Sequence, residues 1–280
     1  MNNADTTPGV RRVESAANPL VKLIAGLRLK KNRDEHGLFL AEGARTGLEA
    51  LECGFSPRYL IYTQAVAGRE ATQRLREACL KSGGTCLEVT DAIITKITRK
   101  ENPQAVIAAF QTKIAEVAAL KPKEKELYIA LDRIRDPGNL GTITRTADCV
   151  RAAGLILIGD CCDPFSVEAV RASMGSIFNV PIFRCTEEAF VTLAKTWPGA
   201  VVGTSPAGTM AYDRFIPDER ATLVVMGNEQ AGMTDTITQA CTNVLSIPIF
   251  GKADSLNISV AAGIVLYCMR ANQNASASAR

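Results

Sequence analysis

Hydrophobic positions along the chain fall into short runs that recur with two spacings. In the second half, runs at 127–131, 155–158, 180–183, 200–202, 223–226 and 244–247 are nearly all apolar, and segments with helical spacing separate them at 140–152, 167–173, 187–197 and 234–242. Apolar runs alternating with helices predict a parallel sheet with helices on both faces, whose ligands gather at the carboxyl ends of the strands. The last segment, 258–269, reads as an almost wholly apolar helix that must be covered on most of its surface. Its larger residues Ile258, Val265, Leu266 and Met269 are candidates to cover either the chain's own core or a partner.

The first half repeats the alternation on a smaller scale. A helix is predicted over 18–33, with Asn18 as cap and Pro19 in the first turn, followed by strand or helix segments at 38–41, 42–54, 59–62, 69–81, 86–89, 91–98 and 105–110. From 113 to 126 the strand pattern gives way to alternating charge, which marks a linker. The predicted organisation is a disordered tail at 1–16, a small α/β domain at 17–112, a linker at 113–126, a larger α/β domain at 127–272 and a second disordered tail at 273–280.

Two apolar runs of the larger domain end alike. Met226 leads into Gly227, Asn228, Glu229 and Gly232, and the run at 244–249 leads into a loop closing on Ser255, Leu256 and Asn257. Glycine permits close backbone approach, and Asn, Glu and Ser offer donors and acceptors without bulk. Turn geometry or a helix cap explains either loop alone, but polar clusters at two neighbouring strand ends point to a ligand pocket. A third strand end carries the turn signal Asp136-Pro137-Gly138-Asn139. A helix starting near Leu140 places Arg145 about one turn in, beside Asn139.

Composition narrows the chemistry. The 280 residues are 47% apolar and 22% charged, with 32 Lys and Arg against 29 Asp and Glu, a net +3 that permits a nucleic-acid partner without requiring one. His36 is the single histidine and no metal-ligand spacing occurs, so neither a histidine-centred triad nor a metal site is expected. Nine scattered cysteines with no CxxC pair suit buried thiols in a reducing cytoplasm. No secretory leader or membrane-spanning run is present, so a cytoplasmic protein without metal or membrane partner is expected. Gly138 and Gly141 fall short of a dinucleotide fingerprint, and Gly251-Lys252-Ala253 falls short of a phosphate loop. At the tail of the helix predicted over 18–33, the basic group Arg28, Lys30, Lys31 and Arg33 is suited either to RNA phosphates or to a solvated helix end.

DPGNLGTITRTAD at 136–148, VVMGNEQAGM at 224–233 and IPIFGKADSLNISVAAGI at 247–264 resemble the three motifs of the SpoU (TrmH-like) branch of the SPOUT RNA methyltransferases. RASMGSIFNVPIF at 171–183 extends the resemblance across the second half. FLAEGARTGLEAL at 39–51 is similar to a substrate-binding domain often fused in front, a ribosomal-protein-like fold, and adds Glu42 and Arg45 to the candidate RNA contacts. The sequence departs from the common pattern at Gln230-Ala231, where a glycine is frequent, and at Val167, where a proline is usual.

The resemblance implies a C-terminal trefoil knot, bound S-adenosylmethionine, and a homodimer with active sites at the subunit boundary. It implies main-chain contacts to the cofactor at Gly227, Ile247 and Leu256, flanked by Met226 and Gly232. It implies Arg145, Asn139, Glu229, Ser255 and Asn257 as catalytic or site-shaping residues. The product it implies is a ribose 2′-O-methyl group in ribosomal RNA, preferred here, or tRNA. The competing readings are a catalytically silent RNA-binding or ribosome-assembly protein on the same fold, and a base methyltransferase.

Overall fold

The structure, a computed structural model, describes residues 9–278, with side chains as far as Gln273. The outermost parts of the expected tails, 1–8 and 279–280, lie outside the described residues. The chain divides into two compact units, Met1–Thr112 with Phe165–Phe178, and Lys113–Pro164 with Asn179–Arg280.

The first stretch runs through β1 (Gly9–Val13), α1 (Pro19–Gly26), α2 (Lys30–His36), β2 (Leu38–Glu42), α3 (Ala44–Glu52), β3 (Tyr59–Thr63), α4 (Glu70–Lys81), β4 (Thr85–Val89), α5 (Asp91–Thr98) and β5 (Val106–Gln111). The second runs through β6 (Ala115–Glu116), β7 (Leu127–Asp132), α6 (Pro137–Cys149), β8 (Gly154–Ile158), α7 (Val167–Ala172), β9 (Ile182–Cys185), α8 (Glu187–Lys195), β10 (Val201–Thr204), β11 (Met210–Ala211), β12 (Thr222–Met226), α9 (Asp235–Ala240), β13 (Asn243–Ser246) and α10 (Ile258–Ser278).

In the first unit the sheet order is β1-β4-β3-β5-β2, with β1, β4 and β3 parallel and β5 antiparallel to both β3 and β2. The strand β1 corrects the expected tail at 1–16. Its pairing from Gly9↔Thr85 to Val13↔Val89 is made by main chain, and Arg11 and Arg12 hide it from an apolar pattern, as charges do on edge strands. The single helix expected at 18–33 is two. Asn18 caps α1 by accepting from the Leu20 N–H at 2.9 Å, the helix stops at Gly26, and buried Leu27 turns the chain before α2.

Phe165 and Phe178 pack with this unit, although both fall within 127–272. Their rings lie 4.6 and 5.7 Å from the Phe39 ring, and Phe178 meets Phe110 and Phe55 at 5.1 Å each. Such tilted and edge-on pairs are the favourable aromatic geometries.

In the second unit an all-parallel sheet has the order β11-β13-β10-β12-β7-β8-β9-β6. β7, β8 and β12 are buried throughout, which is why they read as unbroken apolar runs. Alternate residues Tyr128, Ala130, Ile156, Ile158, Leu223 and Val225 form one core with Phe190 of α8 and Ile237 of α9. The opposite face receives α6 and α10, which also pack on each other.

Two further expectations are corrected here. The linker at 113–126 holds β6, which pairs with β9 at the sheet edge, and Val117 and Leu120 enter the core beside it. The tail at 273–280 is helical as far as Ser278, because α10 continues beyond the apolar stretch. Within α10, Ile258, Val265, Leu266 and Met269 are buried in the chain's own core, and the exposed apolar residues are Val260 and Tyr267.

Candidate active site

A cavity of about 590 Å³ opens in the second unit where the segments after β10, β12 and β13 meet the first turns of α6 and α10. Its lining brings together all the expected cofactor positions, Met226, Gly227, Gly232, Ile247 and Leu256. Asn139, Glu229, Ser255 and Asn257 line it as well. Arg145 does not.

The loop after β12 is folded tightly on itself. Asn228 and Gly232 exchange main-chain hydrogen bonds at 3.0 and 2.9 Å, and the Asn228 Oδ1 accepts from the N–H groups of Gln230 and Ala231 at 2.9 and 3.0 Å. This closure fixes the residue before it. A Cβ on Gly227 would lie 2.2 Å from the Met233 nitrogen and 2.3 Å from the Gly232 carbonyl carbon, so only glycine fits without moving main chain.

Glu229 joins this loop to the start of α6. Its carboxylate accepts from the main-chain N–H groups of Arg135 at 3.3 Å and Asp136 at 3.2 Å, and the Asn139 amide reaches it at 3.5 Å. The Asn139 Oδ1 in turn accepts from the Asn257 Nδ2 at 3.1 Å. The Asn257 Oδ1 accepts from the Ser259 N–H at 2.8 Å and from its hydroxyl at 2.6 Å. One chain of hydrogen bonds thus links the first turn of α6 to the loops after β12 and β13, whose bonded residues lie 90 and 118 positions away along the chain. Glu229 is the single titratable side chain in the cavity lining, and Leu245, Ile247, Ile249, Leu256, Ile258 and Ala261 make its apolar wall.

The expectation that Arg145 lies beside Asn139 is corrected. α6 begins at Pro137, with the Asp136 Oδ1 accepting from the Asn139 N–H at 2.6 Å as its cap, so the two residues stand six helical positions apart. Six positions advance ~9 Å and turn ~240°, which puts them on different faces. Arg145 is exposed, while Leu140, Ile143, Thr144 and Ala147 hold α6 to the core.

Two supporting residues, Asp132 and Arg133, escaped the sequence reading. Asp132, only 1% exposed at the end of β7, holds the Arg133 guanidinium through two bonds of 2.8 and 2.9 Å and accepts from the Thr234 N–H at 3.1 Å. Arg133 adopts a left-handed backbone, φ +52°, and donates to the Gly232 carbonyl at 3.2 Å. The Asn228 Nδ2 donates to the Arg133 carbonyl at 2.8 Å. A carboxylate closing a buried apolar run was the available signal, since buried charge needs a partner. Nearby, burial pushes the Cys161 and Cys162 thiols up to about 11 and about 12, so neither is a thiolate nucleophile at neutral pH. Among the described residues no group of His, Cys, Asp and Glu could hold a metal ion, and no helix is long and apolar enough to cross a membrane.

Residues 126–267 match the SpoU rRNA methylase family, a span that covers the whole cavity. The chain belongs to that family. The SpoU module is preceded at 18–108 by a match to the MRM3-like substrate binding domain. Over 264 residues, 93% of this chain and the full length of its counterpart, it is 31% identical to the 23S rRNA (guanosine(2553)-2′-O)-methyltransferase RlmP of Bacillus subtilis strain 168. It is also 31% identical over 274 residues, 95% of this chain and 94% of the relative, to the 23S rRNA (uridine(2479)-2′-O)-methyltransferase of Streptomyces viridochromogenes. The crystal structure of an AdoMet-bound rRNA methyltransferase from Sinorhizobium meliloti superposes with a TM-score of 0.87 at 41% identity, covering 94% of this chain and 98% of that one.

In this SpoU chain the candidate RNA contacts of the first unit are unequal. Lys30 and Lys31 are exposed, and exposed Arg45 pairs with Glu49 at 3.0 Å. Glu42 is bonded to Lys100. Arg28 is half-buried and donates to the Thr98 carbonyl at 2.7 Å. Arg33 is corrected outright: it is 4% exposed and donates to the carbonyls of Leu27 and Arg28 at 2.9 and 2.8 Å, closing the end of α1 rather than facing a ligand.

Proposed function

We propose that this SpoU-family protein is an S-adenosylmethionine-dependent enzyme that methylates a ribose 2′-hydroxyl of ribosomal RNA. The observation that carries the reading is the chain Glu229, Asn139 and Asn257, which fixes the first turn of α6 and two loops around a cavity otherwise lined by apolar and uncharged polar residues. A lining of this kind, and a volume of about 590 Å³, fit a cofactor of nucleoside size held by its edges. The two relatives act on guanosine and on uridine, so what their substrates share is the ribose rather than the base.

S-adenosylmethionine, when bound, supplies a methyl group on a positively charged sulfur. Met226, Gly227, Gly232, Ile247 and Leu256 hold it, with Gly227 admitting close main-chain approach. Asn139 and Asn257 present amides that orient the ribose, Ser255 shapes the loop, and Glu229 locks the arrangement by its grip on two main-chain N–H groups. Orientation and charge placement therefore supply most of the acceleration. As the 2′-oxygen takes the methyl group, its proton passes to water or to a substrate phosphate.

Arg145 acts as a charged guanidinium, a planar fork of donors suited to developing negative charge. Because it stands away from the cavity of its own chain, it serves the site of a second copy. The exposed apolar residues Val260 and Tyr267 on α10, which packs on α6, are covered in that homodimer.

The test is transfer of labelled methyl to ribosomal RNA from cells lacking the gene. One nucleotide gains label, and a 2′-deoxyribose there removes it. Label that persists assigns the methyl group to the base, and absence of S-adenosylmethionine binding assigns the protein a non-catalytic RNA-binding role. Arg145→Ala and Glu229→Ala chains are each inactive alone; mixed, they regain about a quarter of wild-type activity, because half the dimers then carry one intact site.

A further inference from the structure

A second cavity, about 510 Å³ in volume, shares Asn139, Asn228, Glu229 and Gln230 with the first and adds Arg133, Arg135 and Asp136. The hydrogen-bonded Glu229–Asn139 pair is thus a wall between two spaces. In the first, Glu229 is the single charged side chain. The second adds two guanidinium groups and the Asp136 carboxylate, and its volume suits a nucleotide.

Resting on the ribose-methylation reading above, we propose that this second cavity receives the target nucleotide and that the Arg135 guanidinium grips its phosphodiester. The two arginines differ in what they are free to do. Arg133 has its fork nitrogens on buried Asp132 and a further bond to the Gly232 carbonyl, so its charge is spent inside the loop. Arg135 pairs with Asp160 at 2.7 Å, and those side chains are 60% and 80% exposed. An exposed single-bonded pair of this kind holds weakly, and a phosphate can replace the carboxylate while accepting from both prongs of the fork.

The position of Arg135 is fixed independently of its side chain. Its main-chain N–H is bonded to Glu229 at 3.3 Å, so the guanidinium swings from an anchored root at the wall where the ribose must lie. The acids that face a bound phosphate are already engaged. Asp136 caps α6 through the Asn139 N–H, Glu229 accepts from two main-chain donors, and Asp160 is the group the phosphate displaces. Asn139 and Glu229 then line both spaces, and the ribose reaches past them into the first cavity so that its 2′-oxygen meets the methyl donor directly.

The experiment uses the full-length protein, its ribosomal RNA substrate and three variants. Arg135→Ala raises KM for RNA about tenfold, with a smaller effect on kcat and an unchanged Kd for S-adenosylmethionine by calorimetry. The slope of log binding constant against log salt becomes shallower by about one. Arg135→Lys restores the slope but not the full KM, because an ammonium lacks the fork. Asp160→Asn lowers KM, having removed the competing carboxylate. An Arg135→Ala variant with wild-type KM and salt slope overturns the proposal. So does equal loss of cofactor affinity, which makes the side chain part of the Glu229 clamp. Wild-type transfer measured alongside keeps the cases apart: failure of ribose methylation appears in the wild type, and failure of the grip appears only in the variant.

Discussion

At the ends of β7 and β12, Asp132, Asn228 and Glu229 each make several hydrogen bonds, most of them to main chain, whereas on α2 of the first unit Lys30 and Lys31 stand in solvent. The strand-end groups are held by geometry. The lysines are held by nothing but their helix. A polar residue of the first kind has one conformation to lose and little freedom to change, and its substitution disturbs the loop that positions its neighbours. One of the second kind acts as a mobile charge, with a contribution that scales with number and falls with salt. Arg33 shows the boundary between the two. It is a cation in a basic cluster by sequence and a buried closing group by structure.

The sharpest break in that comparison is at Gly227. Gly227→Ala drives a methyl group against the main chain of the folded loop and lowers stability by about 3 kcal/mol, with S-adenosylmethionine binding lost. Chemical denaturation and calorimetry on the same variant check both. Next comes Arg33 against its neighbour. Arg33→Ala leaves the Leu27 and Arg28 carbonyls without that donor and costs about 2 kcal/mol, read as a lower denaturation midpoint. Lys31→Ala changes stability by less than about 0.5 kcal/mol but reduces the salt dependence of RNA binding by about one.

The smallest effect concerns Cys161 and Cys162. With both thiols pushed up by burial, they stay unlabelled by iodoacetamide near neutral pH in the folded protein and label once it is unfolded. Labelling of the native protein begins only as pH approaches about 11, where the Cys161 thiolate becomes populated. Mass spectrometry of peptides containing the pair reads the result.

The parallel sheet was legible because β7, β8 and β12 are buried on both faces and so carry no polar interruption. The cavity was legible because Gly227 and Glu229 follow the buried β12, and Ser255 and Asn257 close the loop after the neighbouring run at 244–249. What escaped has physical causes. β1 is made by main-chain pairing under charged side chains, and the break between α1 and α2 depends on Arg33 closing carbonyls from a turn away. Arg145 was misplaced because six positions along α6 turn the helix by ~240°, which leaves it on a different face from Asn139. Asp132 and Arg133 were missed since their partners, Thr234 and Gly232, lie a hundred residues on. No local pattern records such a pair.

The aromatic stitch at Phe165 and Phe178 has a practical corollary. Because the SpoU match at 126–267 includes a short passage that belongs with the other compact unit, the polypeptide passes from one to the other three times rather than once. No single cut separates them cleanly. A fragment beginning after Thr112 carries two phenylalanines torn from the Phe39 ring, and clumps in solution unless that greasy passage is excised or given a new cover.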